Sequence, residues 1–203
     1  MLDQNGNIEI IWKNFLSGNK EAFAFLYNKY IHSLYRYGTK ICQDDSLVKD
    51  AIQEVFLDLY MKREKNKTNP ENLKYYLILA LRRNLIKKLK RNRKMTNEYQ
   101  INGVLFEPVY SIEQTIIKDE EESKQKKQII DILNQLPAKQ KEALYLRYNE
   151  AMEYDAIAKI LGISVESVRK QVYRALKSIR DTFVNKSFLF WLMFTGGKAR
   201  IHK

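Results

Sequence analysis

The stretch YDAIAKILGISVESVRKQVYRALKSIR, residues Tyr154 to Arg180, decides the fold of the chain that carries it. A short apolar-periodic segment, YDAIAKIL, stops at Gly162, the residue type that takes the left-handed backbone of a helix C-terminus without a Cβ clash. Two residues on, Ser164 offers a side-chain oxygen to the free N–H groups at the start of the next segment. The spacing predicts a helix, a turn Gly162-Ile163-Ser164, and a longer helix, the arrangement in which the second helix enters the major groove of DNA. At about 100° per residue, Val168, Val172, Ala175, Leu176 and Ile179 gather on one side and are expected to pack inward. Ser167, Lys170, Gln171, Arg174 and Lys177 gather on the other. Arg and Lys suit guanine edges and phosphates, Gln suits adenine, and Ser suits either. Any amphipathic helix has a solvated charged face, but here the cap, the glycine and the spacing all agree, which favours DNA binding.

The remainder of the chain fits a helical fold. Its 203 residues hold only seven Gly and three Pro, too few for sandwiches or barrels that turn every few residues. A hydrophobic content of 45% is enough for compact cores, so the expectation is an all-α protein of two small helical domains joined by a linker. Thirty-six Lys and Arg against 24 Asp and Glu leave a formal charge of +12 and a pI near 9.6, which points to a polyanion: nucleic acid or an anionic membrane surface. Cys42 stands alone and the two histidines, His32 and His202, are isolated, so neither a disulfide framework nor a metal-ligand pattern is present. There is no acid/base pair, nucleophile or phosphate loop. The reading is a non-enzyme with no catalytic residue, no metal and no cofactor. MLDQNGNIEI lacks the basic and apolar regions of a signal peptide, and no apolar run reaches about 18 residues, so no integral membrane span is expected and the chain reads as cytoplasmic.

Along the chain, a first domain is expected over 8–95, a linker over 96–124, a second domain over 125–184 and a tail over 185–203. Trp12, Phe15, Leu16, Phe23, Leu26, Tyr27, Tyr30, Ile31 and Leu34 recur at helical intervals, with Ser17-Gly18-Asn19 breaking one helix from the next. A helix follows Gln43-Asp44-Asp45-Ser46, and the polar stretch Lys65 to Asn72, which contains Pro70, reads as a loop. Between Met95 and Gln125, Gly103, Pro108 and an acidic run interrupt the pattern. Periodicity returns after Lys126, with Pro137 where the first turn of a helix tolerates it.

Two further stretches carry chemistry. From Arg82 to Lys94, eight of thirteen residues are basic and none is acidic, and Lys74, Tyr75 and Tyr76 lie just upstream. Aromatic faces beside a cationic track hold unstacked bases and a single-strand backbone, although two tyrosines in an apolar helix can equally be core. From Asp50 to Tyr60, Ile52, Val55, Phe56 and Leu59 share one face while Asp50, Gln53, Glu54 and Asp58, with Leu57 among them, share the other. In a basic protein this acidic stripe suits a basic protein partner better than DNA; as residues alone, solvated surface is the stronger reading.

DAIQEVFLDLY resembles the region-2 signature of bacterial sigma-70-type RNA polymerase sigma factors. LNQLPAKQKEALYLRY with YDAIAKILGISVESVRKQVYRALKSIR resembles their region-4 helix-turn-helix. Region 2, short linker and region 4, with no region 3, is similar to the small extracytoplasmic-function (ECF) group. The resemblance covers about Ile8 to Phe183. It implies that Asp50, Gln53, Glu54 and Asp58 dock on the clamp of the largest catalytic subunit of core RNA polymerase, against the solvated-surface reading. It implies a second contact with the flap region, capture of an extruded −10 base by the loop around Glu64 to Asn72, and contact between the melted strand and the helix from Leu73 to Arg91. On that helix the expected −10 residues are Lys74, Tyr75, Tyr76, Arg82, Arg83, Asn84 and Lys87. The −35 element would be read by Ser167, Lys170, Gln171, Arg174 and Lys177.

Three positions depart from the family pattern. Tyr60 stands where Trp is common, Ala156 where Glu is frequent with Asp155 beside it, and Lys87-Lys88 where many relatives are acidic. The tail FLFWLMF, Phe188 to Phe194, has two open readings: a last turn folding back on region 4, or a docking segment for an anti-sigma factor or for the junction of the two regions. Two other functions remain in view here: a stand-alone helix-turn-helix transcriptional regulator, and a peripheral membrane protein using the basic run and the tail.

Overall fold

A computed structural model of the protein describes residues 8–66, 70–95, 106 and 129–182. Those residues form helices and no strands. The chain divides into two compact units between Leu105 and Phe106, a point inside the span 96–124 expected as linker.

In the first unit, α1 (Ile8–Leu16) and α2 (Lys20–Gly38) are separated as expected. Gly18 turns the chain with φ of +89°, and the Asn19 side chain accepts from the Ala22 N–H at 2.9 Å, capping α2. Asp44 does the same for α3 (Asp45–Met61), accepting from the Leu47 N–H at 3.0 Å. A short 3₁₀ turn, Arg63–Lys65, runs into the stretch read as a loop, and a second, Pro70–Asn72, lies at its end before α4 (Leu73–Met95). Apolar faces of α2, α3 and α4 close on one another, with Leu26, Leu34, Leu59, Leu77 and Leu81 buried. Tyr37, absent from the expected inward face, is buried too. An aromatic cluster seals one end, where Tyr27 lies 4.7 Å from Phe56 and Trp12 5.1 Å from Phe15. Tyr60 keeps the part of an aromatic at its position: it meets Phe23 edge-on at 5.2 Å, and the Arg63 guanidinium lies over its ring at 4.5 Å.

In the second unit, helical residues 129–135 (α5) lead into α6 (Ala138–Tyr148), with Pro137 one position before the helix, at its N-cap. Then come α7 (Tyr154–Leu161) and α8 (Val165–Thr182). Val168, Val172, Ala175 and Ile179 are buried where α8 packs on α6 and α7; Leu176, expected with them, is half-buried. Gly162 ends α7 in the left-handed region at φ +68°, and the Ala158 carbonyl accepts from the N–H groups of both Gly162 and Ile163. Phe106, which sequence reading leaves within the linker, is fully buried, its ring 5.6 Å from that of Tyr145.

Two glycines test these packing accounts. A Cβ on buried Gly38 would lie 2.8 Å from Cγ1 of Val48, so Gly38→Ala forces α2 and α3 apart and should cost about 1 to 3 kcal/mol in urea unfolding. A Cβ on Gly162 meets nothing within 4 Å, so Gly162→Ala should cost only the backbone penalty, about 1 to 2 kcal/mol.

Candidate nucleic-acid and protein interfaces

On α8 the helix-turn-helix start is built as its sequence dictates. Ser164 Oγ accepts from the Ser167 N–H at 3.1 Å and lies 2.8 Å from Ser167 Oγ. Ser167 is therefore half-buried and engaged in the cap. Arg174 and Lys177 are exposed, as is Lys170, which pairs with Glu166 one turn away at 2.7 Å. That exposed pair is weak enough for a phosphate to displace. Gln171 sits half-buried on the flank. Two residues outside the expected set join the outer surface: Arg169, and Tyr173 at 60% exposure. Sorting side chains by charge left Tyr173 out, although its wheel angle lies nearer the outward pole than that of Gln171.

The seven expected residues of α4 do not form one face. Arg83 and Lys87 are exposed and, with Ile86, Lys90 and Arg91, line an open groove of about 530 Å³. Lys74, Tyr75, Tyr76 and Arg82 are half-buried, so the tyrosines are neither core nor free platforms. Asn84 faces α3 and donates to Glu54 at 2.8 Å. Of the loop expected to capture a base, residues 67–69 lie outside the described residues, as does the tail from Phe188 to Phe194.

On α3 the acidic stripe is exposed along its length. Asp50, Gln53, Glu54 and Leu57 line, with Phe23, Tyr27 and Phe56, a shallow groove between α2 and α3. The stripe thus edges an apolar floor, and Leu57 and Met61 add exposed apolar surface at 61% and 70%. Asp58 lies beyond the groove and pairs with Lys62 at 2.6 Å. Glu54 is also bound at 2.7 Å by Lys88 of α4. Hydrogen bonds from Lys88, then Asn84, hold the Glu54 carboxyl below its ordinary value. Asp45 at the start of α3 is lowered by Lys49 and by a hydrogen bond from the Tyr35 hydroxyl. Among the described residues there is no cluster of three metal-ligating side chains, and no helix long and apolar enough to cross a membrane.

Comparisons with known proteins match these two helical units to two regions of one family. The family model "Sigma-70 region 2" matches residues 26–95 and "Sigma-70, region 4" matches 126–179, together more than half of the chain. The chain belongs to the sigma-70 family. It is an RNA polymerase sigma factor of the extracytoplasmic-function type, a transcription initiation factor. It is 24% identical over 169 residues to the ECF RNA polymerase sigma factor SigM of Bacillus subtilis (strain 168), covering 79% of this chain and 96% of that one. To the RNA polymerase sigma-H factor of Pseudomonas aeruginosa it is 25% identical over 172 residues, with coverage of 80% and 86%. Its fold resembles that of CnrH, solved with the cytosolic domain of CnrY, at a TM-score of 0.53 and 17% identity, covering 88% of this chain and 97% of that one. The sigma factor RpoE of Bartonella quintana, solved with the anti-sigma factor NepR, matches at 0.55 and 16%, covering 81% and 98%. A region-2 match within the N-terminal unit leaves the stand-alone regulator without support.

The contact between α3 and α4 has a pH signature. A folded carboxyl below its unfolded value stabilises above the unfolded pKa, and that contribution fades as pH falls through the folded one. Carboxyl titration by NMR should find Glu54 below 4.5 and rising in Lys88→Met. The wild-type advantage over Lys88→Met in stability should be at most about 1 kcal/mol at neutral pH, because both side chains are partly solvated, and should vanish in acid.

Proposed function

We propose that this sigma factor programmes core RNA polymerase for promoter-specific initiation through three faces of its two domains. The outer face of α3, with Asp50, Gln53, Glu54 and Asp58 around Leu57, docks on the clamp of the largest catalytic subunit. An acidic rim over an apolar floor suits a basic amphipathic helical partner, with charge steering the encounter and Leu57 giving buried contact. The outer face of α4, above all Arg83 and Lys87, with Tyr76 two turns before Arg83, tracks the melted strand of the −10 element, and Asn84 supports that helix from the α3 side. Drawing a base out of the stack costs a few kcal/mol, which contacts to the extruded base and its phosphates must offset. The outer face of α8 reads the −35 element through Lys170, Arg174 and Lys177, joined by Arg169 and Tyr173. Gln171 and Ser167 contact its flank, and region 4 also meets the polymerase flap.

The observation that carries this reading is the order of the two matched regions, each with an exposed basic helix, and one with an acidic groove. Bond chemistry belongs to the polymerase, so the chain itself is not an enzyme and acts in the cytoplasm where the polymerase is. An anti-sigma factor, of the kind solved with RpoE, is a further partner that would compete for these faces.

Pull-down with core polymerase tests the α3 assignment. Gln53→Ala with Glu54→Ala should weaken binding about tenfold or more while leaving helix content unchanged; unaltered affinity would remove the interface from α3. For α8, Arg174→Ala should lose about 1 to 3 kcal/mol on a cognate −35 duplex and relax preference at one base pair. A uniform loss across mutated duplexes would instead assign Arg174 to a phosphate.

A further inference from the structure

Three side chains from three helices meet at the start of α7. The Tyr154 ring lies under the Arg147 guanidinium of α6 at 4.8 Å from its centroid, and under the Arg169 guanidinium of α8 at 5.6 Å. Both distances fall within the range where a cation is drawn to the ring quadrupole. The two arginines differ in what else holds them. Arg147 donates to the Met152 carbonyl at 2.8 Å and pairs with Glu153 at 3.0 Å, so it is fastened to the turn between α6 and α7. Arg169 is exposed on the first turns of α8, and among the described residues no carboxylate lies within ion-pair distance of it. Among the described residues, the contact that restrains its guanidinium is the Tyr154 face.

We infer that Tyr154 is a positioning residue for DNA binding: anchored by Arg147, its ring holds the Arg169 guanidinium in place for a backbone phosphate of the −35 duplex. This rests on the assignment of α8 to that duplex. In a helix-turn-helix the first helix crosses the phosphate backbone while the second lies in the groove, so a cation between the start of α7 and the flank of α8 faces backbone rather than base edge. A free arginine side chain loses conformational entropy when it binds; one already stacked on a fixed ring loses less. Holding the cation by a π face rather than by a carboxylate leaves its full charge for the phosphate. Tyr154 thus acts through Arg169 and touches no base itself.

Binding of the full-length chain to a cognate −35 duplex, titrated at several salt concentrations, tests this. Arg169→Ala should weaken binding equally across duplex sequences and lower the salt slope by about 0.9, the loss of one phosphate contact. Tyr154→Leu should weaken binding about two- to fivefold, and Tyr154→Phe, which keeps the π face, should bind as the wild type does. The decisive comparison is the double variant: Tyr154→Leu with Arg169→Ala should bind no worse than Arg169→Ala alone, since the ring has nothing left to position. Thermal unfolding of each variant separates this from instability, which Arg169→Ala would not mask. A Tyr154→Leu loss that persists undiminished in the Arg169→Ala background overturns the positioning role. If Arg174→Ala and Arg169→Ala both leave binding unchanged, the assignment of α8 to the duplex fails, and the role of Tyr154 with it.

Discussion

Burying one face of α8 against α6 and α7 fixes which side chains the protein can show to a duplex. Val168, Val172, Ala175 and Ile179 must leave water together, and a helix that buries them has only its opposite side and flanks to offer. The same constraint governs α3, whose burial of Ile52, Val55, Phe56 and Leu59 leaves Asp50, Gln53, Glu54 and Leu57 on the outside. Function in this protein is the complement of packing. The glycine and serine of the turn, Gly162 and Ser164, set the direction in which the second helix leaves the first.

Charge is distributed by the same logic. The chain carries +12 overall, but its cations collect on the outer surfaces of α4 and α8 while acids line the α2–α3 groove. The boundary between these surfaces is not empty. Glu54 reaches from the acidic groove to Asn84 and Lys88 of the basic helix, so the acidic face and the basic helix share side chains. Any partner that engages Glu54 competes with α4 for it.

Much of this was readable in the sequence, and what was not has a physical cause. The break at Ser17-Gly18-Asn19, the caps at Asp44 and Ser164 and the stop at Gly162 are local chemistry, written in neighbouring residues. The buried stripe of α8 followed from its period, except Leu176 at the edge of the stripe. Contacts across long separations were not readable. Nothing near Glu54 announces Asn84, thirty positions away, and Asn84 was therefore grouped with the outward −10 residues rather than with α3. Phe106, in a stretch of broken periodicity, gave no sign that it packs on Tyr145. Tyr173 was hidden for another reason: a wheel sorted into apolar and charged faces gives an exposed aromatic no place on either. The stack of Arg147 and Arg169 on Tyr154 joins three helices, so no single periodicity could reveal it.

The central claim is that this chain gives core RNA polymerase a promoter it does not otherwise recognise. Transcription in vitro, with purified core polymerase and total genomic DNA of the source cell as template, tests it directly. Sequencing of the 5′ ends should show start sites that appear only with the chain, each preceded by a shared pair of elements near −35 and −10. Tight duplex binding by the chain alone, with no association with core polymerase and no new start sites, would contradict the account.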